Sequence, residues 1–148
     1  MRSLGLDKGD RRTGVAISDS AEIMAIPLTV IEKHSDNAVV AAVIKLAEQY
    51  EVERVVIGLP ISLNGTLGKQ AEKVIAFSEK LSLCVEQSGL NHIEIKMWDE
   101  RFSTVEADKL MVEAGARRNT RKKHRDAMAA TLILQGFLDS LKYNGVKD

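Results

Sequence analysis

The stretch LGLDKGDRRTGVAISD, residues 4–19, sets a carboxylate, Asp7, inside an apolar segment. A short charged turn bounded by Gly9 and Gly14 follows, and then a second apolar segment. Two kinds of chemistry use such an arrangement. Asp7 can hold a metal ion against a phosphodiester. Alternatively, the turn from Gly9 to Gly14 can cradle the phosphates of a nucleotide. The rest of the chain has to decide between them.

Around this stretch the sequence reads as a mixed α/β protein. Residues 2–7 predict a first strand, 8–13 a turn, and 15–18 a second strand. Ala25–Ile31 predicts a third, and Pro27 within it cannot donate to a ladder, which places that strand at a sheet edge. Short connections make these three antiparallel neighbours. From Asp36 to Tyr50 the period changes to that of a helix, with Val39, Val43, Leu46 and Tyr50 on one face. RVVIGLP (54–60) is a buried strand ended by Gly58 and Pro60. A helix from about Lys69 to Ser88 groups Val74, Phe77, Leu81 and Cys84, and Gly89 can stop it. IEIKMW (93–98) alternates as a fifth strand. Ser103 and Glu106 form a capping box for a helix that stops at Gly115. Asp126–Tyr143 predicts the last helix, with Ala130, Leu134, Phe137 and Leu141 inward.

Right-handed crossovers put the fourth strand parallel to the first and the fifth beside the fourth. The expected sheet order is 3-2-1-4-5, with helices on both faces. Asp7 then lies at the carboxyl end of the central strand, where open α/β sheets gather ligands and chemistry.

Length and composition bound the function. The 148 residues predict one domain, 1–148, and 45% hydrophobic with 28% charged residues is ordinary globular composition. With 21 basic and 21 acidic residues the net charge is zero, so any nucleic-acid signal has to be local. Cys84, the one cysteine, reads as a buried structural thiol in a reducing compartment. No apolar run is long enough for a membrane span, and charges occupy the place of a signal peptide's core. A cytoplasmic protein with no membrane partner is expected.

Three segments bring chemistry to the Asp7 end of the sheet. WDER (98–101) places Asp99 and Glu100 at the end of the fifth strand, and alternation lets only one face the site. Asp126 opens the last helix. Taken singly, strand-end and helix-start acids are as often solvated charges as ligands. Their convergence on one end of one sheet favours a Mg²⁺ or Mn²⁺ site of one or two ions. RRNTRKKHR (117–125) holds six Lys or Arg among nine residues. Such runs are more often solvated loops, but this one abuts Asp126. Arg117, Arg118, Arg121, Lys122, Lys123 and Arg125, with Arg101, Arg11 and Arg12, are candidates for the phosphate backbone. GLPISLNGTLG (58–68) is long for a strand-to-helix connection, with Gly58, Pro60, Asn64 and Gly65 near the site. The helix start after it could hold a phosphate.

LGLDKGDRRTGVAISD, VVIGLPISLNG followed by QAE, WDERFSTVEA, EAG before a basic run, and DAMAATLILQGFLD together closely resemble the YqgF/RuvX family. The resemblance implies an RNase H-like fold and a metal-dependent nuclease whose acids are Asp7, Glu100 and Asp126. Members are described as candidate Holliday junction resolvases and are linked to maturation of the 16S rRNA 5′ end. The implied partners are structured RNA or branched DNA, with ribosomal precursor particles, for a monomer or homodimer. Many RNase H-like nucleases carry an acid just after the fourth strand. Here that position has none, and the acid stands on strand five. Two other readings compete with this one. An actin-like nucleotide-binding protein would use Asp7, Gly9 and Gly14, but needs a second lobe that 148 residues do not supply. A non-catalytic ribosome-assembly factor would bind nucleic acid without cutting it.

Overall fold

A computed structural model describes residues 1–62, 64–100 and 118–146, with the side chains of 127–142 in the last stretch. Five strands form one sheet: β1 (Ser3–Lys8), β2 (Thr13–Ser18), β3 (Ala25–Ile31), β4 (Arg54–Leu59) and β5 (Glu94–Asp99). Three helices accompany them among the described residues: α1 (Asp36–Gln49), α2 (Lys69–Gln87) and α3 (Arg118–Val146). The strand order is β3-β2-β1-β4-β5, as the sequence predicts. β1 pairs antiparallel with β2 and parallel with β4, and β5 runs parallel to β4. The expected capping box at Ser103 and Glu106, and the helix ending at Gly115, lie outside the described residues.

The turn at the start of the chain closes as a hairpin. Lys8 pairs with Thr13, and the Gly9 amide donates to the Arg12 carbonyl at 3.0 Å across the four-residue loop. β3 is the edge strand that Pro27 requires. Val15 pairs with Thr29 and Ala16 with Pro27, so Leu28 is left over at a register shift. The extra residue lets the strand absorb a proline that cannot donate.

The two faces of the sheet have different cores. Leu4, Leu6, Val15, Ile17, Val55 and Ile57 pack against Val39, Val43, Val74, Phe77 and Leu81 of α1 and α2. Ser35 caps α1 by accepting from the Ala38 amide at 3.1 Å, and Gly89, at φ +74°, follows the end of α2. Cys84 is half-buried beside this core rather than fully inside it, because Ala71, Val74, Phe77, Leu81 and Val85 form the innermost stripe. On the other face Ala16, Ala25 and Val56 meet Ala130, Ile133, Leu134 and Leu138 of α3. Small sheet residues let α3 come close. A Cβ on Gly5 would stand 2.7 Å from Leu134 Cβ and 2.8 Å from the Ala130 carbonyl oxygen.

Two sequence-based boundaries are corrected. Gly58 lies within β4 rather than ending it; the strand runs to Leu59 and stops at Pro60. The last helix starts at Arg118, eight residues before Asp126. The basic run is therefore helical from Arg118 onward and not a loop, and Asp126 does not sit in the first turn. The reason is local: no glycine or proline interrupts 118–135, and Arg and Lys are strong helix formers.

At the end of the sheet away from Asp7, buried Arg54 contacts Glu22 at 2.7 Å and Glu94 at 3.3 Å and stacks on Phe137 at 5.1 Å. Gln135 of α3 accepts from the Ala25 amide at 2.9 Å and donates to the Ile23 carbonyl at 3.0 Å. These contacts fix the height of α3 against the sheet. Gly5→Ala should cost about 1–3 kcal/mol, because Leu134 and the helix backbone must retreat. Urea unfolding read as a lowered midpoint at unchanged slope checks this.

Candidate active site

Asp7 lies on the α3 face of the sheet. Strand alternation puts it with Ser3 and Gly5, whereas Leu4, Leu6 and Lys8 face α1 and α2. Gly58 of β4 is its neighbour on that face, one step beyond the Leu6–Ile57 pair. Trp98 of β5 is in register with Gly58, so Glu100, two residues on, returns to the same face. Asp99 alternates to the other side.

Glu100 is the acid that reaches Asp7. Its carboxyl is half-buried and in hydrogen-bond contact with the Asp7 carboxyl. Burial, then the charge of Asp7, then that hydrogen bond, then the charge of Asp99 raise the Glu100 pKa from 4.5 to about 7. Without a cation the pair keeps a proton to higher pH than an isolated carboxyl would. Among the described residues no group of three metal-ligating side chains forms; the acids there are this pair, with Asp99 close by.

The third expected acid is placed by its backbone alone. The Ala130 carbonyl lies over Gly5. Position 126 is one helical turn earlier, about 6 Å, and Asp7 is two strand residues beyond Gly5, about 6.6 Å. α3 runs toward the Asp7 end of the sheet as its numbering falls, from Phe137 beside Arg54 to Ile133 beside Gly58, and position 126 lies further on in that direction. The Asp126 side chain lies outside the described residues, as do Arg101, Arg117 and the side chains of Arg118, Arg121, Lys122, Lys123 and Arg125.

The other face holds this edge of the sheet still. Lys8, with its side chain 8% exposed, places Nζ 3.3 Å from Asp36, 2.7 Å from the Gly9 carbonyl and 5.4 Å from the Phe77 ring centroid. Gln70 donates to the Lys8 carbonyl at 3.2 Å. The peptide that bears Asp7 is therefore tied to the starts of both α1 and α2. Sequence reading missed this role for Lys8; a lysine directly after an acid looks like a solvated charge. In the hairpin loop, Arg11 is exposed, and Arg12 is exposed within 3.9 Å of Glu32. The loop after β4 ties itself off. Asn64 Oδ1 accepts from Ser62, the Thr66 amide and the Thr66 hydroxyl at 2.6, 3.1 and 2.7 Å, and Gly65 takes φ +85°.

A mixed five-stranded sheet in the order β3-β2-β1-β4-β5, with helices on both faces, is the RNase H-like fold. Two solved structures share it: a Thermus thermophilus RuvC with a Holliday junction substrate, and a fowlpox virus resolvase with junction DNA. The first has a TM-score of 0.61 at 15% identity, over 95% of this chain and 96% of that one. The second has a TM-score of 0.58 at 12% identity, over 95% and 99%. The chain belongs to the RuvX family, described as Holliday junction resolvase, whose model matches residues 1–140. A relative from Clostridium botulinum named "Putative pre-16S rRNA nuclease" is 49% identical over 141 residues, 95% of this chain and 98% of the relative. One of the same name from Desulforamulus reducens is 44% identical over 140 residues, with 95% and 98% covered.

The raised Glu100 pKa makes stability depend on pH. The unfolded chain releases this proton near 4.5, and the folded state keeps it to about 7. Between those values the folded state binds more protons, so the cation-free protein loses stability as pH rises, and the loss is complete above pH 7. In chelator, Glu100→Gln should remove this component, so that its melting temperature falls less than that of the unmodified protein over the window. Thermal melts in a pH series measure it.

Proposed function

We propose that the chain is a metal-dependent endonuclease of one domain that processes the 5′ end of precursor 16S rRNA in the cytoplasm. The observation that carries the proposal is the Asp7–Glu100 pair at the carboxyl end of β1. Two carboxyls held in contact in a half-buried site call for a proton or a cation between them. Their oxygens are the donors that Mg²⁺ or Mn²⁺ prefers, so the residues fit the ion. Asp7 and Glu100 would hold it with Asp126, and Asp99 adds negative potential from the far face. When bound, one or two such ions would supply Lewis acidity toward a phosphodiester and lower the pKa of the attacking water. Glu100 would release its proton as the cation takes that proton's place.

The substrate strand would lie between the hairpin loop and the start of α3. Arg11 and Arg12 of the hairpin loop, and Arg118, Arg121, Lys122, Lys123 and Arg125 of the first turns of α3, with Arg101 and Arg117, would supply the phosphate contacts. Such contacts fix the register of the phosphates without reading sequence. A run of basic residues on a helix loses less backbone freedom on binding than a loop would. The precursor rRNA assignment rests on the names of relatives at 49% and 44% identity.

A second reading, resolution of Holliday junctions, is favoured by the family's description. It requires two symmetric cuts and hence a homodimer, whereas single-site trimming needs only a monomer.

Cleavage of a precursor 16S rRNA fragment, a four-way junction and a plain duplex, in parallel with Mg²⁺ or Mn²⁺, separates these readings. The rRNA fragment should be cut, and Asp7→Asn should lower the rate by about 10²–10³-fold or more, the scale of a lost electrostatic stabiliser. Binding in Asp7→Asn should persist. Full activity in that variant refutes the nuclease reading, and junction cleavage alone supports the second. Arg121→Gln with Lys122→Gln should flatten the dependence of log affinity on log salt by roughly 0.7–0.9 for each phosphate that is no longer neutralised. A salt titration of binding reads this directly.

A further inference from the structure

We propose that Gly58 is a positioning residue for Glu100: the missing side chain on β4 is the opening through which an acid borne by β5 reaches Asp7 on β1. The inference rests on the reading of Asp7 and Glu100 as cation ligands.

β1 and β5 are not neighbours. β4 lies between them, which separates their backbones by about 10 Å. Contact between Asp7 and Glu100 therefore has to pass over β4, and at this height β4 presents Gly58. A Cβ there would stand 2.6 Å from Glu100 Oε1 and 3.0 Å from its Cγ. On its other side it would press still closer on Cδ1 of Ile133 in α3. Ile133 is 1% exposed within the α3-face core, whereas the Glu100 carboxyl is half-buried and has solvent on one side to move into. Any side chain at 58 would thus displace Glu100 from Asp7.

The same geometry accounts for a feature of the sequence. RVVIGLP carries no acid, and the acid stands on the next strand instead. A glycine on the intervening strand and a long carboxylate beyond it form one device. It delivers a charge across the sheet to a place where β4 offers none.

The test combines Gly58→Ala, Ile133→Val, Gly58→Ala with Ile133→Val, and Glu100→Gln. The readouts are Mn²⁺ affinity by calorimetry and the melting temperature. Gly58→Ala should weaken Mn²⁺ binding about tenfold, the lower end of what residues supporting metal ligands contribute, and should lower the melting temperature. Ile133→Val removes Cδ1. In the double variant it should restore the melting temperature but not the Mn²⁺ affinity, and alone it should leave affinity unchanged. In a Glu100→Gln background, Gly58→Ala should weaken binding no further. Recovery of affinity along with stability in the double variant would overturn the proposal and leave Gly58 a packing residue only. So would an additive loss in the Glu100→Gln background. If Glu100→Gln binds Mn²⁺ as tightly as the unmodified protein, the cation reading itself fails and takes this proposal with it. Weakened binding in Glu100→Gln with normal binding in the double variant overturns the role of Gly58 alone.

Discussion

Asp7 and Glu100 hold their carboxyls in hydrogen-bond contact across an intervening strand, in a site where ionising both without a cation is unfavourable. That contact costs stability, and much of the surrounding structure keeps it from relaxing. On one side of the sheet Lys8 is locked to Asp36 and to the Gly9 carbonyl, so the peptide bearing Asp7 cannot tilt. On the other side α3 lies against Gly5, and Ile133 closes the space beside Gly58. Trp98, two residues before Glu100, meets Phe137 edge-on at 6.1 Å, with its ring against Gly136. β5 is thereby anchored on the helix just before the acid emerges. Strain of this kind is a recurrent property of sites that must bind a charged species.

α3 joins the parts of the molecule that function would require. Its middle supplies one of the two cores, and Gln135 and Phe137 tie it to the far end of the sheet. Its first turns continue without a break into the basic run. Residues that would grip a phosphate backbone thus lie on the same helix that packs beside the acid site. Placing the proposed phosphate contacts and Asp126 on one element would favour precise geometry over adaptability.

The legible part of this protein is the part written in local pattern. Period-2 and period-3.6 hydrophobicity marks the elements, Pro27 marks the edge strand, and the short hairpin connections with two crossovers lead to the order β3-β2-β1-β4-β5. Asp7 stands out because a charge inside an apolar strand is unusual. The start of α3 is misplaced by sequence reading because a dense positive run resembles a solvated loop, while the absence of any helix breaker is the better signal. Gly58 reads as a strand stop because glycine commonly punctuates strands.

The sequence by itself determined which residues face inward, which strand is central and at which end its acid lies, since these follow from side-chain period and connection length. It also placed Asp99 and Glu100 at a strand end, but could not choose between them. Only the tertiary structure decided that Glu100 meets Asp7, because that depends on the register of β5 against β4 and on a glycine in the strand between. Contact across a sheet joins residues 93 positions apart, and no local pattern encodes which of two adjacent side chains will find the gap.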